Sequence, residues 1–560
     1  MKLRKQNDSR YKRGTIILLF AAGFVALNIA SCKKNDSPNP TPPSPPPPAG
    51  PYDTTGTGPL KNGASFNVGL AIDYNQYKND AAYAAVVNKE ANNVTFGYQM
   101  KHGAIVKNDG SFDFSKTDEM VNQASAAGLW IFGHVLAWHQ NDNGDYLRSL
   151  ATIPGTTDYF TGQNGDFEQG AATNFGAYWA RLVGGAPAAA TYEVETTGVP
   201  QGTRAFKVTV TTLGTNPWDV QMIQNNTPNN YWPSVQGTQY ILKLWAKTNT
   251  AGGSFHIVSQ GTGSSLAPNY DLVPTSTWAE YSIPFTCGEN NQSLKFWFNK
   301  LGTYWIDDIR IYSAMPAAPG SPIVAEKVDT ALKSWVRASV TRYPGKVKAW
   351  DVVNEAFTDG ASVLRNGTNT TGDTYYWAEW LGRSYITKAF TYARQYDATA
   401  DLFLNDYNLE FNPVKLDSFV ALANQLKTAG VPITGVGTQM HINANTDKTG
   451  IDNMFTKLAS TGLKVRISEL DIRINPSNAT GFTPTQSQLE DQAYMYKYVL
   501  QSYYSKVPAA QRYGVTVWGV SDNYSWIVTT QGHEDFPLLF DANYRKKPAY
   551  VGLWKGLKQQ

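Results

Sequence analysis

The pattern of hydrophobic and polar positions changes character twice along this chain. In the first folded region, short β-branched and aromatic runs alternate with stretches of helical periodicity. The predicted strands are 66–72, 93–96 and 129–135, and the predicted helices are 80–88 and 116–127. Three strand–helix units in succession are typical of a parallel sheet or barrel.

A second pattern, without helical periodicity, occupies residues 157 to about 315. It consists of short β runs separated by clusters of Gly, Asn, Pro and Thr. Examples are 205–210, 240–245, 294–298 and 304–312. Short strands at such regular spacing are typical of a β-sandwich or jelly roll. We therefore interpret residues 157–316 as an all-β domain inserted into a loop.

After residue 321 the strand–helix alternation returns. Val324, Val328, Leu332, Val336 and Val340 recur every fourth residue, which predicts a helix with one apolar side. Further strands are predicted at 348–353, 401–408, 433–441, 465–472 and 514–520, and helices at 380–396, 414–429 and 486–504. Three strands before the interruption and five after it predict an α/β fold. We expect a (β/α)₈ TIM barrel interrupted after strand 3 by the all-β domain.

The first 60 residues carry a targeting pattern. Basic residues between positions 2 and 13 precede an apolar stretch at 15–30, which is short for a membrane span of roughly 20 residues. The stretch ends in Ile-Ala-Ser-Cys32, which resembles a bacterial lipobox. That resemblance implies removal of residues 1–31, lipidation of Cys32 and a secreted, membrane-anchored protein of the cell envelope, at the outer membrane or cell surface. The alternative is an ordinary secretory signal with an incidental cysteine.

A proline-rich tether follows at residues 32–60. Nine of the 14 residues from 38 to 51 are proline, a composition that favours polyproline II and carries no core. The predicted globular part then divides into barrel residues 61–156, the insert at 157–316 and barrel residues 317–560. Cys287 is the only cysteine besides Cys32, so lipidation of Cys32 leaves no disulfide within the chain.

Composition narrows the class of ligand. Charged residues make up 17% of the chain and the net charge is +3, so nothing favours a nucleic-acid partner. The 16 Trp and 32 Tyr, against 6 His, suit stacking on sugar rings, although such residues also fill large cores.

Two glutamates stand at the ends of predicted strands. Glu355 follows Asn354, and Glu469 shares its strand with Asp471. Barrel enzymes carry their active sites at the C-terminal strand ends, where paired carboxyls suit acid/base work; a helix N-cap is the alternative for Glu355. Other side chains at these ends are Lys101, His134, Trp138, Gln439, His441, Trp518, Asp522 and Trp526. His134 and His139 lack a well-spaced third ligand, so no metal or other cofactor is predicted.

Five sequence motifs resemble glycoside hydrolase family 10, the β-1,4-xylanases. They are Gly-His-Val-Leu-Ala-Trp-His at 133–139, Trp-Asp-Val-Val-Asn-Glu-Ala at 350–356, residues 435–442, residues 467–472, and 517–519 with 525–526. The resemblance covers 66–139 and 321–555. It implies retaining endo-xylanase activity, with Glu355 as general acid/base and Glu469 as nucleophile. Xylan or a related β-1,4-glycan is the expected partner of a monomer.

The same resemblance implies roles for the surrounding side chains. Asn354 and Gln439 match positions near the sugar 2-hydroxyl and the nucleophile. Contacts with the sugar on the non-reducing side are implied for Lys101 and His134, and Trp518 and Trp526 match the aromatic cage of that side, with core filling as the alternative for both tryptophans. Trp138 and His441 are further expected substrate-binding residues.

Strand alternation adds a prediction about the nucleophile. It places Glu469 and Asp471 on one side of their strand, and Gln439 and His441 on one side of theirs. We expect an Asp471–His441–Glu469 hydrogen-bond chain that orients the nucleophile and keeps it ionised.

One stretch departs from the family pattern. Gly97 and Tyr98 stand where the family has Glu and Asn, and His102 replaces its Trp. The family's Glu and Asn contact the second sugar on the non-reducing side. We therefore expect that subsite to be weaker or altered, with Tyr98 stacking on the sugar instead.

The insert resembles carbohydrate-binding modules of the family 4, 9 and 22 type. The matching stretches are 164–168, 244–247 and 305–309. Trp179, Trp218, Trp232 and Trp278 are candidates for sugar stacking, with core filling as the alternative for each. For the whole chain, the alternatives to a xylanase are the same mechanism on cellulose or mixed-linkage β-glucan, and a non-catalytic surface protein that binds glycans.

Overall fold

The structure is a computed structural model that describes residues 53–170, 178–224, 231–360, 362–366 and 374–560. The signal segment, Cys32 and most of the tether lie outside the described residues, so lipidation and membrane anchoring stay predictions. In the described part, no helix has both the length and the hydropathy needed to cross a membrane.

The first part of the barrel contains three parallel strands and five helices. The strands are β1 (Asn67–Ile72), β2 (Asn93–Phe96) and β3 (Trp130–Ala137). The helices are α1 (Tyr74–Asn79), α2 (Ala81–Glu90), α3 (His102–Ile105), α4 (Ser115–Ala126) and α5 (Gly144–Ser149).

Eleven strands and no helix follow in the described residues of the insert. They are β4 (Thr152–Asp158), β5 (Trp179–Val183), β6 (Ala189–Glu195), β7 (Ala205–Thr212), β8 (Val220–Gln224), β9 (Gln239–Thr248), β10 (Phe255–Gln260), β11 (Asn269–Leu272), β12 (Ala279–Thr286), β13 (Ser293–Trp297) and β14 (Gly302–Pro316). They form two antiparallel sheets around a separate core. One is a five-stranded sheet in the order β11-β10-β13-β8-β5, and the other is a six-stranded sheet in the order β12-β9-β14-β7-β6, in which β4 also pairs with β14. This is the sandwich architecture expected from the regular spacing of short strands.

The barrel resumes after the insert. Its strands are β15 (Val347–Asn354), β16 (Asp401–Asp406), β17 (Gly435–Thr438), β18 (His441–Asn443), β19 (Lys464–Arg473) and β20 (Arg512–Val517). Its helices are α6 (Pro322–Arg342), α7 (Ala378–Leu381), α8 (Ser384–Tyr396), α9 (Pro413–Thr428), α10 (Lys448–Ser460), α11 (Gln486–Lys506), α12 (Trp526–Thr529) and α13 (Pro548–Leu557).

Eight parallel strands close into a barrel, which confirms the predicted fold. The order is β17-β16-β15-β3-β2-β1-β20-β19, and pairing of β17 with β19 completes the ring. The short β18 extends the pairing at the far end of β19. The predicted apolar stripe of α6 is buried from Val324 to Val340, and Trp335 of the same helix donates to the Leu136 carbonyl of β3 at 2.7 Å.

The insert leaves and rejoins the barrel at one place. β4, at its start, pairs antiparallel with the end of β14, where Thr152 is opposite Pro316. Because entry and exit are adjacent, the insert extends a loop without separating β3 from β15, which remain paired.

Two predicted elements are interrupted. The strand predicted at 433–441 ends at Thr438 and restarts at His441, because Met440 has a φ of 61° and cannot continue an extended chain. The helix predicted at 380–396 divides at Gly382, where a φ of 54° ends α7.

Beneath the mouth of the barrel lies a buried charged layer. Arg466 pairs with Asp351 at 3.5 Å, donates to Thr516 at 2.9 Å and stacks 3.3 Å from the Phe132 ring centre. Asp351 also contacts His134 Nδ1 at 3.0 Å. A buried charge is costly unless it is paired, so this network fixes the strands that carry it.

Candidate active site

Glu355 is held at the mouth by an abrupt turn of the chain. It directly follows β15 with a φ of 54°, a conformation that costs most residues of its type of order 1 kcal/mol or more. The Glu355 N–H donates to the Asn405 carbonyl at 2.9 Å, and Arg365 Nε donates to the Glu355 carbonyl at 2.9 Å. The turn ends the strand and fixes the position from which the carboxyl leaves the backbone.

A relay of amide side chains joins the two glutamates. Gln439 Nε2 and Asn354 Nδ2 donate to Glu355 Oε1 at 2.9 and 3.2 Å. Asn405 Nδ2 donates to Asn354 Oδ1 at 2.9 Å and to Glu469 Oε1 at 3.1 Å. Both carboxyls are buried, at 6% and 4% exposure, and each has one oxygen fixed by this relay.

Asn405 is a site residue that the sequence analysis missed. It lies near the end of β16, in the predicted strand 401–408, and Ser468 Oγ donates to its Oδ1 at 2.8 Å. Asn405 is fully buried. An amide within a predicted strand, directly after the apolar run 402–404, is the signal that was available, because a buried polar side chain needs partners.

His441 lies between Glu469 and Asp471. Its Nδ1 is 2.7 Å from Asp471 Oδ2, and its Nε2 is 3.4 Å from Glu469 Oε2. Trp526 Nε1 donates to the same Asp471 oxygen at 2.8 Å. The structure therefore brings together the three groups of the expected hydrogen-bond chain.

The environment of His441 shifts two pKa values in opposite directions. Burial alone would lower the pKa of His441, but the charge and hydrogen bond of Asp471, supported by Glu469, raise it well above its usual 6.5. Burial alone would raise the pKa of Glu469, but the His441 hydrogen bond and the charges of His134 and Lys101 outweigh it and lower the pKa. Glu469 is thereby kept as a carboxylate.

Strand alternation accounts for only one of the two predicted pairs. Glu469 and Asp471 do share a side of β19, since both contact His441. The prediction that Gln439 and His441 lie on one side of a continuous strand is wrong, because the extended chain is interrupted at Met440. The break lets Gln439 contact Glu355 while His441 contacts Glu469.

Aromatic and basic side chains surround the carboxyls. The His134 ring lies 5.4 Å from Trp518 and 6.1 Å from Trp138, and Lys101 Nζ lies 4.6 Å over Trp138. The Trp526 ring is 5.0 Å from His441. Tyr98 lies in the turn after β2, half-buried and three residues before Lys101. Each predicted substrate-binding position is therefore at the C-terminal end of the barrel.

A cavity adjoins Glu355. It is lined by Trp138, Arg365 and Tyr376, among others. Glu355 Oε2 is buried and accepts no hydrogen bond from the described residues. Glu355 thus has one oxygen held by amides and a second that is available for proton transfer.

The insert's tryptophans divide into core and surface. Core filling, the alternative given for each of them, holds for Trp179 and Trp232, which are buried and donate to Asn164 O at 2.9 Å and Ser259 Oγ at 3.0 Å. These side chains fill the space between the sheets, which a sandwich requires. Trp278 is half-buried with Lys247 Nζ 4.9 Å from its ring centre, whereas Trp218 is 47% exposed.

Comparison with known proteins gives the family. The sequence profile of glycosyl hydrolase family 10 matches residues 60–156 and 291–555, more than half of the chain. The chain therefore belongs to glycosyl hydrolase family 10. The two matched segments agree with a barrel that an insertion divides.

Two named relatives and one solved structure illustrate the similarity. Endo-1,4-beta-xylanase A of Cellvibrio japonicus is 38% identical over 230 residues, which are 38% of this chain and 38% of that protein. Exoglucanase XynX of Acetivibrio thermocellus is 34% identical over 297 residues, 51% of this chain and 24% of that protein. The match thus spans well under two thirds of both relatives. The family 10 structure from Paenibacillus barcinonensis has the same fold, with a TM-score of 0.54 at 22% identity, covering 90% of this chain and 97% of that one.

We predict that His441 remains protonated at pH 7, while buried His102, whose pKa burial lowers to about 3, is neutral. Replacement Asp471→Asn removes the charge that most raises the pKa of His441, so that pKa falls. Imidazole ¹⁵N chemical shifts across a pH titration measure both residues. A His441 titration at or below 6.5 in the unaltered protein would contradict the assignment.

Proposed function

We propose that this protein is an endo-β-1,4-xylanase that hydrolyses the xylan backbone with retention of anomeric configuration. The observation that carries the proposal is the pair Glu355 and Glu469, joined by amides yet placed in different electrostatic environments. Retaining hydrolysis requires one protonated carboxyl and one ionised carboxyl on opposite sides of the scissile bond.

The proposed reaction has two steps. Glu469 attacks the anomeric carbon and forms a glycosyl ester, while Glu355 transfers its proton to the departing glycosidic oxygen. Glu355 then removes a proton from water, which attacks the anomeric carbon and releases Glu469. The free Oε2 of Glu355 suits both proton transfers, since Oε1 is engaged with Gln439 and Asn354.

His441 and Asp471 support the nucleophile. The lowered pKa of Glu469 keeps it ionised in mildly acid solution, where the acid/base group must still carry its proton. Trp526, which donates to Asp471, fixes the carboxylate that charges His441. Gln439 and Asn354 orient Glu355 and lie where they can also meet the sugar.

The names of relatives favour xylan as the substrate. The Cellvibrio relative is a xylanase, whereas the exoglucanase name of the Acetivibrio relative makes β-glucan the second candidate. The flat indole rings of Trp518, Trp138 and Trp526 suit either sugar, because both present apolar ring faces.

We expect the unaltered protein to release reducing ends from xylan faster than from mixed-linkage β-glucan or cellulose. Replacement Glu469→Ala should lower xylan hydrolysis by roughly 10⁴-fold or more, because the nucleophile is lost. Reducing-sugar release measures both. The matched control is Glu326→Ala, which removes an exposed glutamate from α6 and should have no effect.

Three outcomes separate the hypotheses. Faster cleavage of β-glucan than of xylan would make β-glucan the substrate instead of xylan. A protein that cleaves none of the three polysaccharides would be a glycan-binding protein without catalysis. Xylan hydrolysis that survives Glu469→Ala would overturn the proposed mechanism.

We also propose that the inserted domain binds xylan through the outer face of its five-stranded sheet. Trp218 is exposed there and lies 5.6 Å from Trp297, whose ring stacks on His256 at 5.3 Å and 29°. On the other sheet, Lys247 Nζ lies 4.9 and 4.8 Å from the ring centres of Trp278 and Trp305. An exposed ring has the free apolar face that sugar stacking needs.

Replacement Trp218→Ala should weaken binding to insoluble xylan by roughly tenfold, because an exposed aromatic anchor is lost. The measurement uses the full chain carrying Glu469→Ala, so that the polysaccharide is not degraded. Trp278→Ala in the same background is the control and should bind as the parent does. Equal affinity of the Trp218→Ala variant and its parent would reject this binding face.

A further inference from the structure

The carboxyl of Asp73 is not used for local structure. Asp73 directly follows β1 at the C-terminal end of the barrel and occupies the N-cap position of α1, but its side chain makes no capping hydrogen bond. Asp80, at the N-cap of α2, does cap: it accepts from Ala82 N and Tyr83 N at 2.9 and 3.0 Å. An N-cap hydrogen bond is worth about 1 kcal/mol, which Asp73 forgoes.

Asp73 lies at the same end of the barrel as the nucleophile, beside the turn that leads to Lys101, in which Lys101 N donates to the Tyr98 carbonyl at 2.9 Å. The Asp73 side chain is exposed, and the charge of Lys101 acts on both Asp73 and Glu469. Packing of protein atoms around the Asp73 carboxyl has the larger effect and raises its pKa to about 6. The exposed Asp73 carboxyl is therefore within reach of a solute at the mouth of the barrel.

Gly97 leaves room beside this carboxyl. β1 and β2 are paired, with Ile72 opposite Phe96, so Asp73 and Gly97 follow neighbouring strand ends. A Cβ at position 97 would lie 3.5 Å from Asp73 Oδ1, in ordinary contact. Any longer side chain at 97 would extend from a point adjacent to Asp73. Gly97 therefore leaves space next to a carboxyl that makes no capping hydrogen bond.

We propose that Asp73 is the specificity-determining residue that binds the second sugar on the non-reducing side of the cleavage point. This rests on the proposed function. A carboxylate accepts two hydrogen bonds and donates none, so it suits a pair of neighbouring sugar hydroxyls, while Lys101 nearby supplies donors. The same charge repels an acidic substituent. The preferred occupant is an undecorated neutral xylose unit, and a glucuronosyl branch at this position is disfavoured.

Two synthetic substrates isolate this position. An aryl β-xyloside places one sugar on the non-reducing side of the cleaved bond, and an aryl β-xylobioside places two. Replacement Asp73→Asn should lower kcat/KM on the xylobioside by roughly tenfold, because a charged hydrogen-bond acceptor is lost. On the xyloside, kcat/KM should stay unchanged. Asp491→Asn, at an exposed position of α11, is the matched control and should alter neither.

The ratio of the two kcat/KM values decides the proposal. An equal fall on both substrates would reduce Asp73 to a structural role, and no fall on either would remove it from the subsite. A wild-type protein that cleaves neither xylan nor the xylobioside would instead overturn the proposed function.

A second variant tests the same point by gain of function. Gly97→Glu introduces a carboxyl beside Asp73, so it should lower activity on the xylobioside through repulsion between like charges. In the Asp73→Ala background, Gly97→Glu should instead restore part of the lost activity. Additive effects of the two substitutions would contradict a shared binding position.

Discussion

The proposed mechanism requires that one of two buried carboxyls be ionised while the other carries a proton, and much of the barrel mouth bears on this constraint. Like charges that lie close together in a medium of low polarity repel strongly. In the structure, the two carboxyls have different partners. His441 and Asp471 contact Glu469, and Lys101 and His134 act on it electrostatically, whereas Glu355 receives neutral amide donors.

The different partners of Glu355 and Glu469 depend on how individual strands end. The left-handed turn at Glu355 and the break at Met440 direct neighbouring side chains to different partners. Beneath them, the paired Arg466 and Asp351 hold His134 from below, so the charged layer and the site form one network. The insert leaves this network undisturbed because β4 and β14 pair at its base.

Sequence patterns predicted the parts that depend on periodicity. The eight strands, the apolar stripe of α6 and the position of the insert follow from alternation and helical spacing, and family motifs located both glutamates. Strand alternation also predicted the contacts of His441 with Glu469 and Asp471, whereas other contacts between strands were missed. Asn405 looked like an ordinary strand residue, and only the closed barrel brings its amide between Asn354 and Glu469. Trp179 and Trp232 stood beside polar residues in sequence, yet sheet packing buries them.

The central claim is that Glu469 is the nucleophile of a retaining reaction. The most direct measurement is mass spectrometry after incubation with an activated 2-deoxy-2-fluoro-β-xylobioside, which slows release of the glycosyl ester. The account predicts one xylobiosyl adduct per protein, located on the peptide that contains Glu469, and its loss when the trapped protein turns over. A label on any other residue, or cleavage of the reagent without an adduct, would contradict it.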